Sequence, residues 1–214
     1  MSAAEKITEH GLIAILRGIA PGEALEIGTA LYGAGIRVVE VPLNSPDPFA
    51  SIARLAAHFA GKMAVGAGTV LNPDQVSELA ANGGQFVVAP DTNPAVIGRA
   101  LKLGLMPLPG VFTPTEAFTA IRSGAAHLKL FPAEAMSPTI VKAWRAVLPA
   151  HVRTYAVGGI TPANMGPWHL AGCSGFGIGS SIYKPGMRAE DVANSARAFQ
   201  AAWIALKGEG EITR

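Results

Sequence analysis

The sequence predicts a single closed (β/α)8 barrel of the TIM type, an α/β fold. Three observations carry that expectation. Short apolar, β-branched runs alternate eight times with alanine-rich stretches of helical pattern. Proline opens nearly every helical stretch, where its missing N–H would have no partner in any case. No linker or low-complexity tract divides the 214 residues, and barrels of about this size fold as one domain.

A short N-terminal helix is expected ahead of the first strand, Leu12–Gly18, which leads to a helix over Pro21–Gly33. Val38–Asn44 feeds Pro48–Phe59, and Met63–Val70 feeds Pro73–Ala81. Gln85–Pro90 then precedes Pro94–Leu103, and Met106–Val111 precedes Pro114–Ser123. His127–Pro132 leads to Pro138–Leu148, Thr154–Gly159 to Pro162–Leu170, and Gly175–Ser180 to Ala189–Leu206. Asn72, Asn93, Thr113, Ser137 and Thr161 each stand before a proline and suit N-caps. Gly33 and Gly104 stand where helices should stop. The end of the chain, from about Lys207 to Arg214, is expected to fray. An open doubly wound sheet is the competing topology. Its dinucleotide fingerprint needs G-x-G-x-x-G after an early strand, and Gly66-Ala67-Gly68 followed by Thr69-Val70-Leu71 does not complete one.

Composition removes several function classes. Half of the residues are hydrophobic, enough for a packed core and against intrinsic disorder. With 17 basic and 15 acidic residues the net charge is +2, which does not describe a nucleic-acid binder. A single cysteine, Cys173, excludes a disulfide framework and a cysteine-rich metal site. The five histidines form no H-x-x-H or H-E-x-x-H pattern, so no metal is expected. Mean hydropathy is +0.33, yet no apolar run reaches the ~20 residues of a spanning helix. The run Gly11–Ile19 is interrupted by Arg17, and residues 1–6 lack the layout of a signal peptide. A cytoplasmic protein with no membrane association is the expectation.

The informative residues are charges inside apolar strands, because a buried unpaired charge is expensive. Arg17 ends Ile13-Ala14-Ile15-Leu16-Arg17, Glu40 lies in Val38-Val39-Glu40-Val41-Pro42, and Lys129 in His127-Leu128-Lys129-Leu130-Phe131-Pro132. Side chains alternate faces along a strand. If these charges point into the barrel, so do Ile13, Ile15, Val38, Pro42, His127 and Phe131, and all three charges lie near the C-terminal mouth. Lys129 reads either as a strand-end lysine that snorkels or neutralises a carboxylate, or as an amine nucleophile desolvated by its apolar neighbours. Glu40 reads as one half of an ion pair with Arg17 or Lys129, or as a general acid/base. Arg17 reads as the other half of that pair, or as a fork gripping a substrate carboxylate. Thr69 is either a helix cap or a hydroxyl donor to the same carboxylate.

Two strands late in the chain run into glycines: Val157-Gly158-Gly159-Ile160-Thr161-Pro162, and Gly175-Phe176-Gly177-Ile178-Gly179-Ser180-Ser181. Glycine there serves tight turns. Turns after the seventh and eighth strands of a barrel also commonly bind phosphate through backbone N–H groups.

Together these residues resemble the bacterial keto-deoxy-phospho-sugar aldolases. The resemblance runs through Gly11–Arg17, Glu40–Pro46, Val65–Leu71, Pro109-Gly110, Leu128–Pro132, Val157–Ile160 and Gly177–Ser180. It implies a homotrimeric class I aldolase acting on a phosphorylated keto-deoxy sugar acid and pyruvate, with no cofactor. It implies that Lys129 forms the Schiff base and Glu40 is the acid/base. The gluconate-type members carry an arginine where this chain has Asn44, and a threonine where it has Val157. Leu12–Ile19 and Pro42-Leu43-Asn44-Ser45-Pro46 instead resemble the galactonate branch, in which Arg17 takes over the carboxylate. The implied reaction is cleavage of 2-dehydro-3-deoxy-6-phosphogalactonate to pyruvate and glyceraldehyde 3-phosphate. Thr69, Val157, Gly158, Gly159, Gly179 and Ser180 complete the implied substrate site. Phe131-Pro132-Ala133-Glu134 departs slightly from the family's form.

Overall fold

Alternation of side chains along each strand divides the apolar residues between two cores. The computed structural model describes residues 1–212, the last four of them by backbone alone. Its strands are β1 (Leu12–Ile15), β2 (Val38–Pro42), β3 (Ala64–Gly68), β4 (Phe86–Val88), β5 (Met106–Leu108), β6 (Gly110–Val111), β7 (His127–Leu130), β8 (Arg153–Val157) and β9 (Gly175–Ile178). The pairings are parallel, in the order β5-β4-β3-β2-β1-β9-β8-β7-β6. Ile13, Val38, Ala64, Phe86, Leu108 and Tyr155 fill the barrel interior as one buried cluster. Their strand neighbours, such as Leu12, Val39, Val65, Val87 and Leu128, face outward into the larger core beneath the helices.

The expected strand Met106–Val111 is broken into β5 and β6 at Pro109. Proline brings no N–H to a ladder; its carbonyl still accepts the Lys129 N–H at 2.8 Å. Because β5 pairs with β4 and β6 with β7, this one segment closes the barrel. The other strands end earlier than the apolar runs suggest. Arg17, Asn44, Thr69, Phe131, Gly158 and Gly179 therefore stand just past strand ends, at the C-terminal mouth.

The helices are α1 (Ala3–His10), α2 (Ala24–Gly33), α3 (Pro48–His58), α4 (Pro73–Ala81), α5 (Pro94–Lys102), α6 (Pro114–Arg122), α7 (Pro138–Arg145), α8 (Met165–Leu170) and α9 (Ala189–Ile212). Asn72 and Asn93 accept backbone N–H groups of Gln75 and Ala95, each at 3.0 Å. Thr113 forms a capping box with Glu116, and such caps contribute about 1 kcal/mol each. Ser137 stands at an N-cap but makes no side-chain bond there. Thr161 is not a cap: residues 161–164 form a turn, the Thr161 N–H donates to Asn164 Oδ1 at 2.9 Å, and α8 begins only at Met165. Residues 213 and 214, part of the expected frayed end, lie outside the described residues. Helix α1 plugs the N-terminal end of the barrel, placing Ile7 in the interior cluster and Lys6 Nζ 2.8 Å from Gly61 O. Among the described residues no helix is long and apolar enough to cross a membrane.

Candidate active site

Glu40 and Lys129 are buried inside the mouth, at 3% and 5% exposure. Room for the Glu40 carboxylate comes from β3, where a Cβ on Gly68 would overlap its Oε2. That oxygen is buried and accepts no hydrogen bond. Burial pushes the Glu40 pKa up, against the pull of Lys129 and Arg17. Burial pushes the Lys129 amine down, opposed by Glu40 and assisted by Arg17. Among the described residues no direct salt bridge joins Glu40 to either cation, although both pull on its carboxyl from a distance. Burial thus pushes both groups in the direction of their uncharged forms, while each opposes that push on the other. Below them His127 Nδ1 lies 3.2 Å from the Tyr155 hydroxyl, and burial lowers its pKa to about 4, which keeps it neutral.

The Lys129 amine lies 4.4 Å from the centre of the Phe131 ring. Phe131 forms part of the wall of a cavity of about 680 Å³ that opens at the mouth. Arg17, Val157, Gly158, Gly159, Gly179 and Ser180 also line this cavity. Arg17 is exposed, and its Nη1 donates to Asn44 Oδ1 at 2.6 Å. Gly158 and Gly159 turn the chain with φ of 112° and 66°, which glycine alone adopts without strain. Asn164 Nδ2 fixes that turn by donating to Gly159 O at 2.8 Å. Among the described residues the N–H groups of Gly159, Ser180 and Ser181 have no acceptor. These three residues line one cavity, and unpaired backbone N–H groups in a concave site suit an anion.

A buried amine whose pKa is pushed down, near a buried carboxyl and a cavity lined by glycine turns, is the equipment of imine-forming catalysis. The family model described as "KDPG and KHG aldolase" matches residues 3–197. The chain belongs to the KDPG and KHG aldolase family. It is thus an aldolase, a carbon–carbon lyase. It is 47% identical to the 2-dehydro-3-deoxy-6-phosphogalactonate aldolase of Escherichia coli K12, over 92% of this chain and 96% of that protein. The KHG/KDPG aldolase of the same organism is 38% identical over 66% of each chain. A solved structure called "Native KDPGal structure" superposes with a TM-score of 0.91 at 46% identity, covering 92% of this chain and 96% of the other.

Six of the nine residues expected at the site of this aldolase thus meet on one cavity wall; Glu40, Lys129 and Thr69 are not among its lining residues, and the Lys129 amine lies behind Phe131, which is one of them. Thr69 follows Gly68 at the end of β3 with φ of 56°. A β-branched residue in the left-handed region stores about 1–3 kcal/mol of backbone strain, a frequent mark of functional sites. Sequence reasoning missed Glu134, Tyr183 and Lys184, which also line the cavity. Glu134 lies over the glycine turn, its Cβ 3.1 Å from where a Cβ on Gly159 would stand. Its place five residues after Lys129 was the available signal.

Proposed function

We propose that this aldolase cleaves 2-dehydro-3-deoxy-6-phospho-D-galactonate to pyruvate and D-glyceraldehyde 3-phosphate through an imine on Lys129. The observation that carries the mechanism is the buried amine beside a carboxyl oxygen with no partner in the protein. Neutral Lys129 attacks the C2 carbonyl to give a carbinolamine. The Glu40 acid protonates the departing hydroxyl, water leaves, and a protonated imine forms. The resulting carboxylate takes the C4 hydroxyl proton as the C3–C4 bond breaks, and the electron pair passes into the imine to give an enamine. Glu40 returns that proton to C3, and hydrolysis releases pyruvate. The imine is the electron sink, a role that a divalent ion fills in metal-dependent catalysis, so this chemistry calls for no cofactor. Arg17 grips the substrate carboxylate, with the Thr69 hydroxyl as a second donor. The turns at Gly158-Gly159 and Gly179-Ser180 hold the phosphate. The same family resemblance supports a cytoplasmic homotrimer as the working form.

The galactonate assignment rests on the relatives' names and on two residues. Asn44, in place of the arginine of the gluconate branch, orients Arg17. Val157, in place of a threonine, lines the cavity without a hydroxyl. The substrates of the two branches differ at C4, the carbon whose hydroxyl loses its proton. We expect the wild type to have the higher kcat/KM on the galactonate epimer. Val157→Thr should move the ratio toward the gluconate epimer by about tenfold, the worth of one hydrogen bond. A wild type that prefers the gluconate epimer would place the enzyme in the sister branch. An unchanged ratio in the variant would reduce Val157 to packing.

The phosphate assignment has its own test. A Cβ on Gly179 meets no protein atom within 4 Å, so Gly179→Val should fold normally and fill the anion site. We expect its KM for the phosphorylated substrate to rise by about tenfold or more, the loss of charge-assisted bonds. A variant with unaltered KM would move the phosphate elsewhere.

A further inference from the structure

Three segments build the anion-binding end of the cavity, and each is tied to its neighbour by one side chain. Ser181 Oγ donates to Ile160 O at 3.0 Å, joining the turn after β9 to the turn after β8. On the other side, the Tyr183 hydroxyl donates to Glu23 Oε1 at 3.0 Å, joining the turn after β9 to the loop after β1. Glu23 Oε1 also accepts the Ala20 N–H at 3.0 Å, so the carboxylate gathers its own loop while it holds the tyrosine. The Tyr183 ring is 2% exposed, and its own N–H, like that of Ile182, bonds back to Gly179 O. Its position is therefore rigidly coupled to the Gly179–Ser181 turn. Burial and the Glu23 carboxylate push the Tyr183 pKa up, which keeps the hydroxyl a donor.

The front of the loop after β1 has separate anchors. Arg17 is held by Asn44, and the Gly18 N–H donates to Ser45 Oγ at 2.9 Å. Loss of the tyrosine bond thus leaves Arg17 in place and deprives the Gly179–Ser181 turn of one of its two side-chain ties.

We propose that Tyr183 and Glu23 form a strut that fixes the Gly179–Ser181 turn relative to the Arg17 loop, and so sets the enzyme's preference for a substrate carrying a phosphate. Tyr183 is a positioning residue in this scheme, acting through the backbone N–H groups of the turn. The inference rests on the phosphate assignment made above.

The experiment compares kcat/KM for the phosphorylated sugar acid and its unphosphorylated counterpart. The wild type is measured first, and a ratio near one would overturn the phosphate assignment itself. With a high wild-type ratio in hand, Tyr183→Phe removes only the hydroxyl and keeps the packed ring. We expect the ratio to fall about tenfold, the worth of a hydrogen bond to a charged group, chiefly through KM for the phosphorylated substrate. Glu23→Ala should reproduce the effect, and the double variant should be no worse than the more damaged single one. Glu23→Gln keeps an acceptor oxygen and should retain most of the ratio. A ratio unaltered in Tyr183→Phe, or equal losses on both substrates, would overturn the strut.

Discussion

Lys129→Ala is expected to lose the adduct that borohydride traps from pyruvate, together with turnover, by a factor on the order of 10⁴ or more. The reason is chemical: among the described residues no other lysine is both buried and free of hydrogen bonds. Lys6 is equally buried and its pKa is likewise lowered by burial. Its amine, however, bonds Gly61 O at the far end of the barrel. Lys184 lines the cavity but is exposed to water. Lys129→Met, which keeps the volume of the stem, should be as inactive as the alanine variant without its cavity. Lys129→Arg should not rescue, because a guanidinium stays protonated. The wild type should trap pyruvate readily near neutral pH, where an ordinary lysine is almost fully protonated, since burial favours the neutral amine. Peptide mass spectrometry locates the reduced adduct. An adduct that persists in Lys129→Ala would remove the residue from its role, and a wild type that gains no mass would leave only a sugar-phosphate binder.

The barrel was legible because each strand announces itself by a short apolar run and most helices by a proline with a capping residue before it. Helix α4 coincides with its expected range, Pro73–Ala81. The reading failed where a local signal had a competing use. Pro109 stands inside an apolar run that looks continuous, yet its missing N–H divides the strand. Thr161-Pro162 has the form of a helix start, but the following residues are taken up by a turn that serves the glycines before it. The charges at positions 17, 40 and 129 were visible because they break apolar runs. Their mutual relation was not, since the sequence cannot say whether a carboxylate and an amine touch or are merely near. The Tyr183–Glu23 contact spans 160 positions, and nothing in either local segment points to the other. The strain at Thr69 was equally hidden, for threonine there reads as an ordinary residue after a strand.

Glu40→Gln should lower turnover by roughly 10²–10⁴-fold, the usual contribution of a positioned acid/base. The amide keeps the shape and fits against Gly68, where any larger residue would collide with it. Pyruvate should still reach Lys129, so the defect belongs to the proton transfers. Exchange of the pyruvate methyl protons with solvent isolates these transfers from C–C cleavage, and exchange at the wild-type rate in the variant would count against the role. A second readout follows from the same carboxyl and moves in the opposite direction. Its folded pKa is raised by burial, so the folded state holds the proton more tightly than the unfolded chain does. The acid form therefore contributes stability that is present below the ordinary glutamate pKa of about 4.3 and is lost as pH rises through the folded value. Glutamine does not ionise and escapes that loss. The variant should be more thermostable than the wild type, with a difference in Tm that is larger at pH 8 than at pH 5. A buried group that costs stability at working pH and whose neutral isostere is inactive is one retained for chemistry. Equal Tm values at both pH values would mean that Glu40 is well solvated or paired in solution, and the assignment of an acid with a raised pKa would fall with it.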